Sequence, residues 1–255
     1  GRRFVQQGQY DEAIEQYSAM LDNHPYFPEA AFYMGLTKFR QKDIEGAATY
    51  FKEALDIYPF HSKARKGLDN VTKQFLNSGN NAYKRGDLEK ATSFYKKALK
   101  FDENFYLAYF QLGVLEKKMG RSKSSIDYLK KVISIKPEHD KSWFTLGSAY
   151  ESDGNFEEAI KHYLKAIDLN ASYSKAYGNL GKLYINKGSL KDAEDILKTV
   201  TQIDDRYADG FMHLGILYLK QEKFESAAEN LLIATNLDKK DYNKFFKKIY
   251  KSLRF

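Results

Sequence analysis

Residues 143–166 read WFTLGSAYESDGNFEEAIKHYLKA, and the spacing of large and small side chains in this stretch decides the fold. Trp143, Leu146, Gly147 and Tyr150 recur at intervals that put them on one stripe of a helix, and Phe156, Ala159, Tyr163 and Ala166 draw a second stripe, so the stretch is two helices. Gly147 is also one member of a series. Gly79, Gly113, Gly147, Gly181 and Gly215 each follow the last by 34 residues, and Gly1 and Gly35 keep the same interval. Only the step from Gly35 to Gly79 is longer, at 44, which marks a single ten-residue insertion between the second and third units. A fixed period of this length is the signature of a stacked repeat array.

With the glycine at place 8 of a 34-place frame, place 20 is always small: Ala13, Ala47, Ala91, Ser125, Ala159, Ala193 and Ala227. Glycine costs about 1 kcal/mol against alanine inside a helix, so its recurrence calls for a compensating close approach between two helices. Place 24 is large, with Tyr17, Phe51, Tyr95, Leu129, Tyr163, Leu197 and Leu231, and place 4 gives Phe75, Tyr109, Trp143, Tyr177 and Phe211. Both are expected in the core. Pro25, Pro59 and Pro137 stand at place 32 and Pro28 at place 1, where a first helical turn tolerates proline.

Trp143, Leu146, Gly147, Tyr150, Ala159 and Tyr163 together resemble the signature of the tetratricopeptide repeat family, whose period is the same. The resemblance covers nearly the whole chain. It departs at Lys38, Ala82 and Glu116, where place 11 prefers Tyr, and at Glu103, Ala171, Asp205 and Lys239, where place 32 prefers Pro. It implies an all-α superhelical solenoid of paired antiparallel helices, about seven repeats closed by a C-terminal capping helix.

The organisation expected is N-terminal repeats at 1–61, the first truncated, a helical insertion at 62–71, and a main array at 72–241 made of units 72–105, 106–139, 140–173, 174–207 and 208–241. Residues 242–255 carry an apolar stripe of Phe245, Ile249 and Leu253 with lysines on the other side, and are expected to cap the last seam. The alternative use of that basic amphipathic segment is contact with an acidic membrane or partner. Across the insertion, Ala64, Leu68, Val71 and Phe75 keep helical spacing, which predicts one long helix over 62–84; the competing expectation is a break near residues 77–81.

Composition narrows the function. A chain that is 43% hydrophobic and 29% charged is ordinary for a folded protein, and the absence of cysteine excludes disulfides, thiolate metal sites and cysteine nucleophiles. No run of apolar residues reaches the length of a membrane span and no secretion signal opens the chain. The compartment stays open, with the cytoplasm favoured and a periplasmic or membrane-anchored location, through a segment upstream of Gly1, as the alternatives. No phosphate loop, dinucleotide fingerprint, zincin or nucleophile-elbow string occurs, and the histidines His24, His61, His139 and His162 fall at repeat boundaries or on a second helix. Only His213 falls on the face discussed next. No enzyme, cofactor, metal or small-molecule substrate is expected.

In proteins that this chain resembles, the first helix of each pair lines the concave side through places 2, 5, 6, 9, 12 and 13. The candidate binding residues on that basis are Asn77, Asn80, Tyr83 and Lys84; Phe110, Gln111, Val114 and Lys117; Lys141, Phe144, Thr145 and Ser148; and Lys175, Asn179 and Lys182. Among all these places in the third to sixth units the lysines face a single acid, Glu151. Amides can hold an extended backbone, aromatic rings offer apolar footholds and lysines attract carboxylates, so the expected ligand is an extended, acidic segment of another protein or peptide.

Chaperone-binding relatives carry a carboxylate clamp there, and the matching residues here are Leu76, Asn80, Gln111, Lys141 and Thr145. Only Asn80 and Lys141 keep the clamp's residue type, so a chaperone C-terminus is not the expected ligand. A second reading is self-assembly into a homo-oligomer through exposed repeat edges, with an apolar edge expected near Ala13 and Tyr17. A third, nucleic-acid binding, draws on the net charge of +7 but ranks last, because lysines alternate with acids on the outer faces and no base-reading code repeats.

Overall fold

Seven times the chain turns back at the same place of its repeat, and the backbone there is left-handed. Gly8, Gly86, Gly120, Gly154 and Gly188 have φ between +75° and +83°, and Lys42 and Glu222 occupy the equivalent turns at +64° and +60°. A left-handed residue ends one helix and starts the next within a few residues, but with a Cβ it costs about 1–2 kcal/mol. That is why glycine fills five of the seven places. Lys42→Gly and Glu222→Gly are each expected to stabilise the protein by about 0.5–1 kcal/mol, the strain relief being partly offset by glycine's greater unfolded-state entropy. Urea unfolding checks this, and a midpoint that stays put or falls contradicts it.

The computed structural model describes residues 1–238, and these hold fourteen α-helices that follow one another as seven helix–turn–helix repeats. The chain divides into two compact units, residues 1–115 and the remainder from 116. The first contains α1 (Arg2–Gln6), α2 (Tyr10–Asn23), α3 (Pro28–Arg40), α4 (Ile44–Ile57), α5 (Ser62–Lys84), α6 (Leu88–Phe101) and most of α7 (Tyr106–Lys118). The second contains the end of α7, then α8 (Ser122–Ile135), α9 (Asp140–Ser152), α10 (Phe156–Leu169), α11 (Ser174–Lys187), α12 (Leu190–Ile203), α13 (Ala208–Lys220) and α14 (Phe224–Leu237). From α2 to α6, and again from α8 to α14, each helix packs on its successor. The expected capping helix at 242–255 lies outside the described residues, as do residues 239–241.

Each pair is closed by the glycine at place 8. A Cβ on Gly147 would sit 2.8 Å from the Tyr163 ring and 3.1 Å from the carbonyl oxygen of Ala159; on Gly35 it would sit 2.7 Å from Phe51 and 3.2 Å from the Ala47 carbonyl. The tightest contact is thus with the large side chain at place 24, and the small residue at place 20 contributes its backbone carbonyl. Phe51, Tyr95, Leu129, Tyr163, Leu197 and Leu231 are all essentially inaccessible to solvent. Place 4 is more mixed: Phe75 and Tyr177 are buried, whereas Tyr109, Trp143 and Phe211 are half-buried. Three second helices start on side-chain caps, with Asp43, Asp87 and Asn155 accepting from the backbone N–H three residues on.

The insertion does not bend the chain. α5 runs unbroken for 23 residues, capped by His61 Nδ1, which accepts from the Ala64 N–H at 3.1 Å. Its extra turns bury Ala64, Leu68 and Val71, and Gly67 lets the helix lie against the Phe51 ring of α4. The expected apolar edge at Ala13 and Tyr17 is absent: both are buried, in a cluster with Met34 that is covered by Phe4 and Val5 of α1 and by Tyr33.

Candidate protein-binding faces

In the second unit the first helices of the pairs are α9, α11 and α13, and the polar centre of the face they present is Glu151. Its carboxylate accepts from Lys182 Nζ at 2.5 Å and from the Tyr163 hydroxyl at 2.8 Å, while the same hydroxyl accepts from Asn179 Nδ2 at 3.2 Å. Burial and the Glu151 charge push the Tyr163 phenol far above its usual range, so it stays a neutral donor. Lys117, half-buried, is close enough to feel both charges: burial lowers its pKa, Glu151 raises it and Lys182 lowers it. Lys117, Asn179 and Lys182 are therefore brought together around one acid.

Thr145 is half-buried, its hydroxyl donating to the Lys141 carbonyl one turn back at 2.7 Å. Lys141 and Lys175 are exposed, and neither joins an ion pair among the described residues. Phe144 and Ser148 are half-buried.

Two tyrosines outside the expected set form the floor of this face. Tyr173 packs on Phe144 with ring centroids 4.9 Å apart, and its phenol is pushed up to about 12 by burial and by Asp140. Tyr207 covers Gly178, where a Cβ would lie 2.5 Å from the phenol oxygen, and burial raises its pKa further. Both stand at place 34. The signal was present in the sequence, since place 34 reads Phe27, His61, Phe105, His139, Tyr173 and Tyr207, a ring in the first six units, with Asp241 in the last. His213 corrects an expectation: it is buried at 8% exposure, with its Nδ1 lacking a partner, and burial pushes its pKa down to about 4. It belongs to the packing of α13 and offers no polar contact at the surface.

In the first unit, α5 carries Asn77, Asn80, Tyr83 and Lys84, and α7 carries Phe110, Gln111 and Val114. Asn77 and Lys84 are exposed and the others half-buried. Asn80 Oδ1 accepts from the Tyr95 hydroxyl at 2.9 Å, a phenol that burial and Tyr83 push up to about 12. Asn80 thus spends its carbonyl on its own repeat, and Asn179 its amide on the preceding one.

A separate cavity of about 320 Å³ opens in the first unit, lined by Arg2, Glu29, Phe32, Tyr33, Tyr58 and Phe60 among others. Glu29, Phe32 and Tyr33 occupy places 2, 5 and 6, so the same register that places Asn77 and Lys141 also places this cavity. This cavity lies in the first two repeats and the start of α5, N-terminal to the face expected from Asn77 onward.

Among the described residues no cluster of three or more His, Asp or Glu could hold a metal, and no helix is long and apolar enough to cross a membrane.

Comparison with known proteins agrees with the geometry. Tetratricopeptide repeat models match residues 1–62 and, separately, 106–139 and 174–207, and a TPR repeat model matches 79–120 and 152–188. No curated protein sequence matches the chain. Among solved structures, that of MamA is 25% identical with a TM-score of 0.58, over 63% of this chain and 94% of its own. YrrB, described as a TPR protein with an unusual peptide-binding site, is 25% identical with a TM-score of 0.58, over 81% of this chain and all of its own. The Cut9–Hcn1 hetero-tetramer of the APC/C matches 98% of this chain and 48% of its own at 17% identity, with a TM-score of 0.59. This is a fold of protein–protein interaction scaffolds. With its 34-residue period, its glycine-closed helix pairs and these matches, the chain belongs to the tetratricopeptide repeat family.

Proposed function

We propose that the protein binds an extended, acidic segment of a partner protein along the first-helix faces of its repeats, at the residues from Asn77 to Lys182 named above. The observation that carries this is the pair of exposed, unpaired cations Lys141 and Lys175, beside the aromatic floor of Phe144 and Tyr173. Lys117 and Lys182 play a different part. Drawn toward Glu151, they are partly neutralised, so Glu151 competes with any ligand carboxylate for them.

Exposed ion pairs contribute only about 0.2–1 kcal/mol each, so the lysines steer and the apolar floor supplies most of the affinity. Reversing Lys117, Lys141 and Lys182 should lower partner recovery in a pull-down, but Lys182 also pairs with Glu151 and Lys117 feels its charge. The cleaner test is Lys141→Glu with Lys175→Glu, titrated calorimetrically with a ten-residue Asp/Glu-rich peptide. The double variant is expected to bind about tenfold more weakly, and Glu151→Gln about three- to fivefold more tightly by freeing Lys182. Equal affinities for all three proteins would end this reading.

Self-association is the second reading, and it rests on another surface. Met20, Tyr26 and Phe27 are 39%, 88% and 37% exposed around a largely apolar cavity of about 600 Å³. Light scattering that finds a concentration-independent monomer removes it.

A further inference from the structure

The cavity in the first unit combines an aromatic wall with a cationic edge. Tyr58 and Phe60, in the link between α4 and α5, are 49% and 82% exposed, and their rings lie 6.0 Å apart. Opposite them stand Phe32 and Tyr33 of α3. A phenylalanine so exposed on the rim of a cavity is the kind of side chain that interfaces bury first. The cations are Arg2, whose guanidinium carbon sits 4.3 Å over the Tyr33 ring, and Lys63 in the first turn of α5. Neither joins an ion pair among the described residues, and Glu29 is the one acid that lines the cavity.

We propose that this cavity receives a large apolar side chain, best an aromatic one, from an acidic peptide, with a neighbouring carboxylate of the peptide meeting Arg2 and Lys63. The volume suits one aromatic side chain and its flanking backbone. Two cations against one acid favour a carboxylate beside the ring, and Arg2 already covers a face of Tyr33 that a ligand's ammonium would seek. The inference rests on the reading that the ligand is an acidic segment, and adds the residue that anchors it.

Three fluorescein-labelled peptides test it by anisotropy on the full chain: Gly-Glu-Asp-Phe-Asp-Glu-Gly, the same peptide with Ala for Phe, and Gly-Lys-Lys-Phe-Lys-Lys-Gly. The acidic Phe peptide is expected to bind at least tenfold more tightly than its Ala version, and the basic peptide more weakly than either. Tyr58→Ala with Phe60→Ala should erase the Phe/Ala ratio. Phe60 is largely in water and Tyr58 half so, and an unchanged thermal melt is expected as the folding control. Lys141→Glu with Lys175→Glu, in the other compact unit, should leave the Phe/Ala ratio intact.

A ratio near one in the parent protein, a ratio that survives the loss of Tyr58 and Phe60, or a preference for the basic peptide overturns the proposal. If the ratio behaves as expected while the lysine reversals leave the affinity of the ten-residue Asp/Glu-rich peptide unchanged, the aromatic cavity stands and the lysine-lined face falls.

Discussion

Acidification from pH 7 to pH 4 is expected to remove about 3 kcal/mol of folding free energy through His213 alone, since its pKa falls from 6.5 to about 4 on burial. Burial is the first cause; Asp209 and Glu151 pull the value up and Lys182 pushes it down, so desolvation outweighs the two acids. The sign follows from which state binds the proton more readily. Between the two values the unfolded chain is protonated and the folded one is not, so the contribution is complete above pH 6.5 and lost as the pH falls toward 4. His139 and His162 shift the same way for the same leading reason.

Carboxylates titrate in this range as well, and the comparison must cancel them. Urea midpoints of the parent and of His213→Leu, taken at intervals from pH 7.5 to 4.5, isolate the imidazole: the parent should lose stability more steeply. Parallel curves would mean that His213 finds a partner or solvent when protonated.

Gly147→Leu is expected to cost more than about 3 kcal/mol, at the upper end for overpacking a core, and to lower the melting temperature by roughly 6–12 °C. The new Cβ alone would stand 2.8 Å from the Tyr163 ring and 3.1 Å from the Ala159 carbonyl. Tyr163 cannot swing aside cheaply, because its hydroxyl joins Glu151 to Asn179 and the ring is fully buried. Gly147→Ala meets the same wall, but regains up to about 1 kcal/mol of helix propensity, so a smaller loss is expected. Calorimetry on both variants checks the order. A Gly147→Leu protein that melts with the parent would show that the α9–α10 seam has slack that the distances deny.

The periodic part of the structure was legible from residue types alone. Gly147 opposite Tyr163, and its equivalents in other repeats, are local in sequence, so a 34-residue count brings them into register without any knowledge of the fold. The continuous α5 was legible for the same reason, since Ala64, Leu68, Val71 and Phe75 share one stripe. The left-handed place 15 and the ring at place 34 were periodic too, but neither shows as hydrophobic spacing. One is a backbone angle, and the other joins the end of a repeat to its own first helix, where Tyr173 reaches Phe144 and Tyr207 covers Gly178.

Sequence by itself thus determined the helix pairs, their order and their membership of the tetratricopeptide family, because each pair is held by contacts within one period of the chain. Only the tertiary structure decided which polar residues look outward. Glu151 faces Lys182 and Tyr163, Asn80 faces Tyr95, His213 is sealed in α13, and Phe60 is left in water beside Arg2 and Tyr33. A helical register says which side of a rod a residue is on. Whether its polar atoms meet a neighbour or a ligand depends on distances of an ångström or two between rods, and those distances are set by packing.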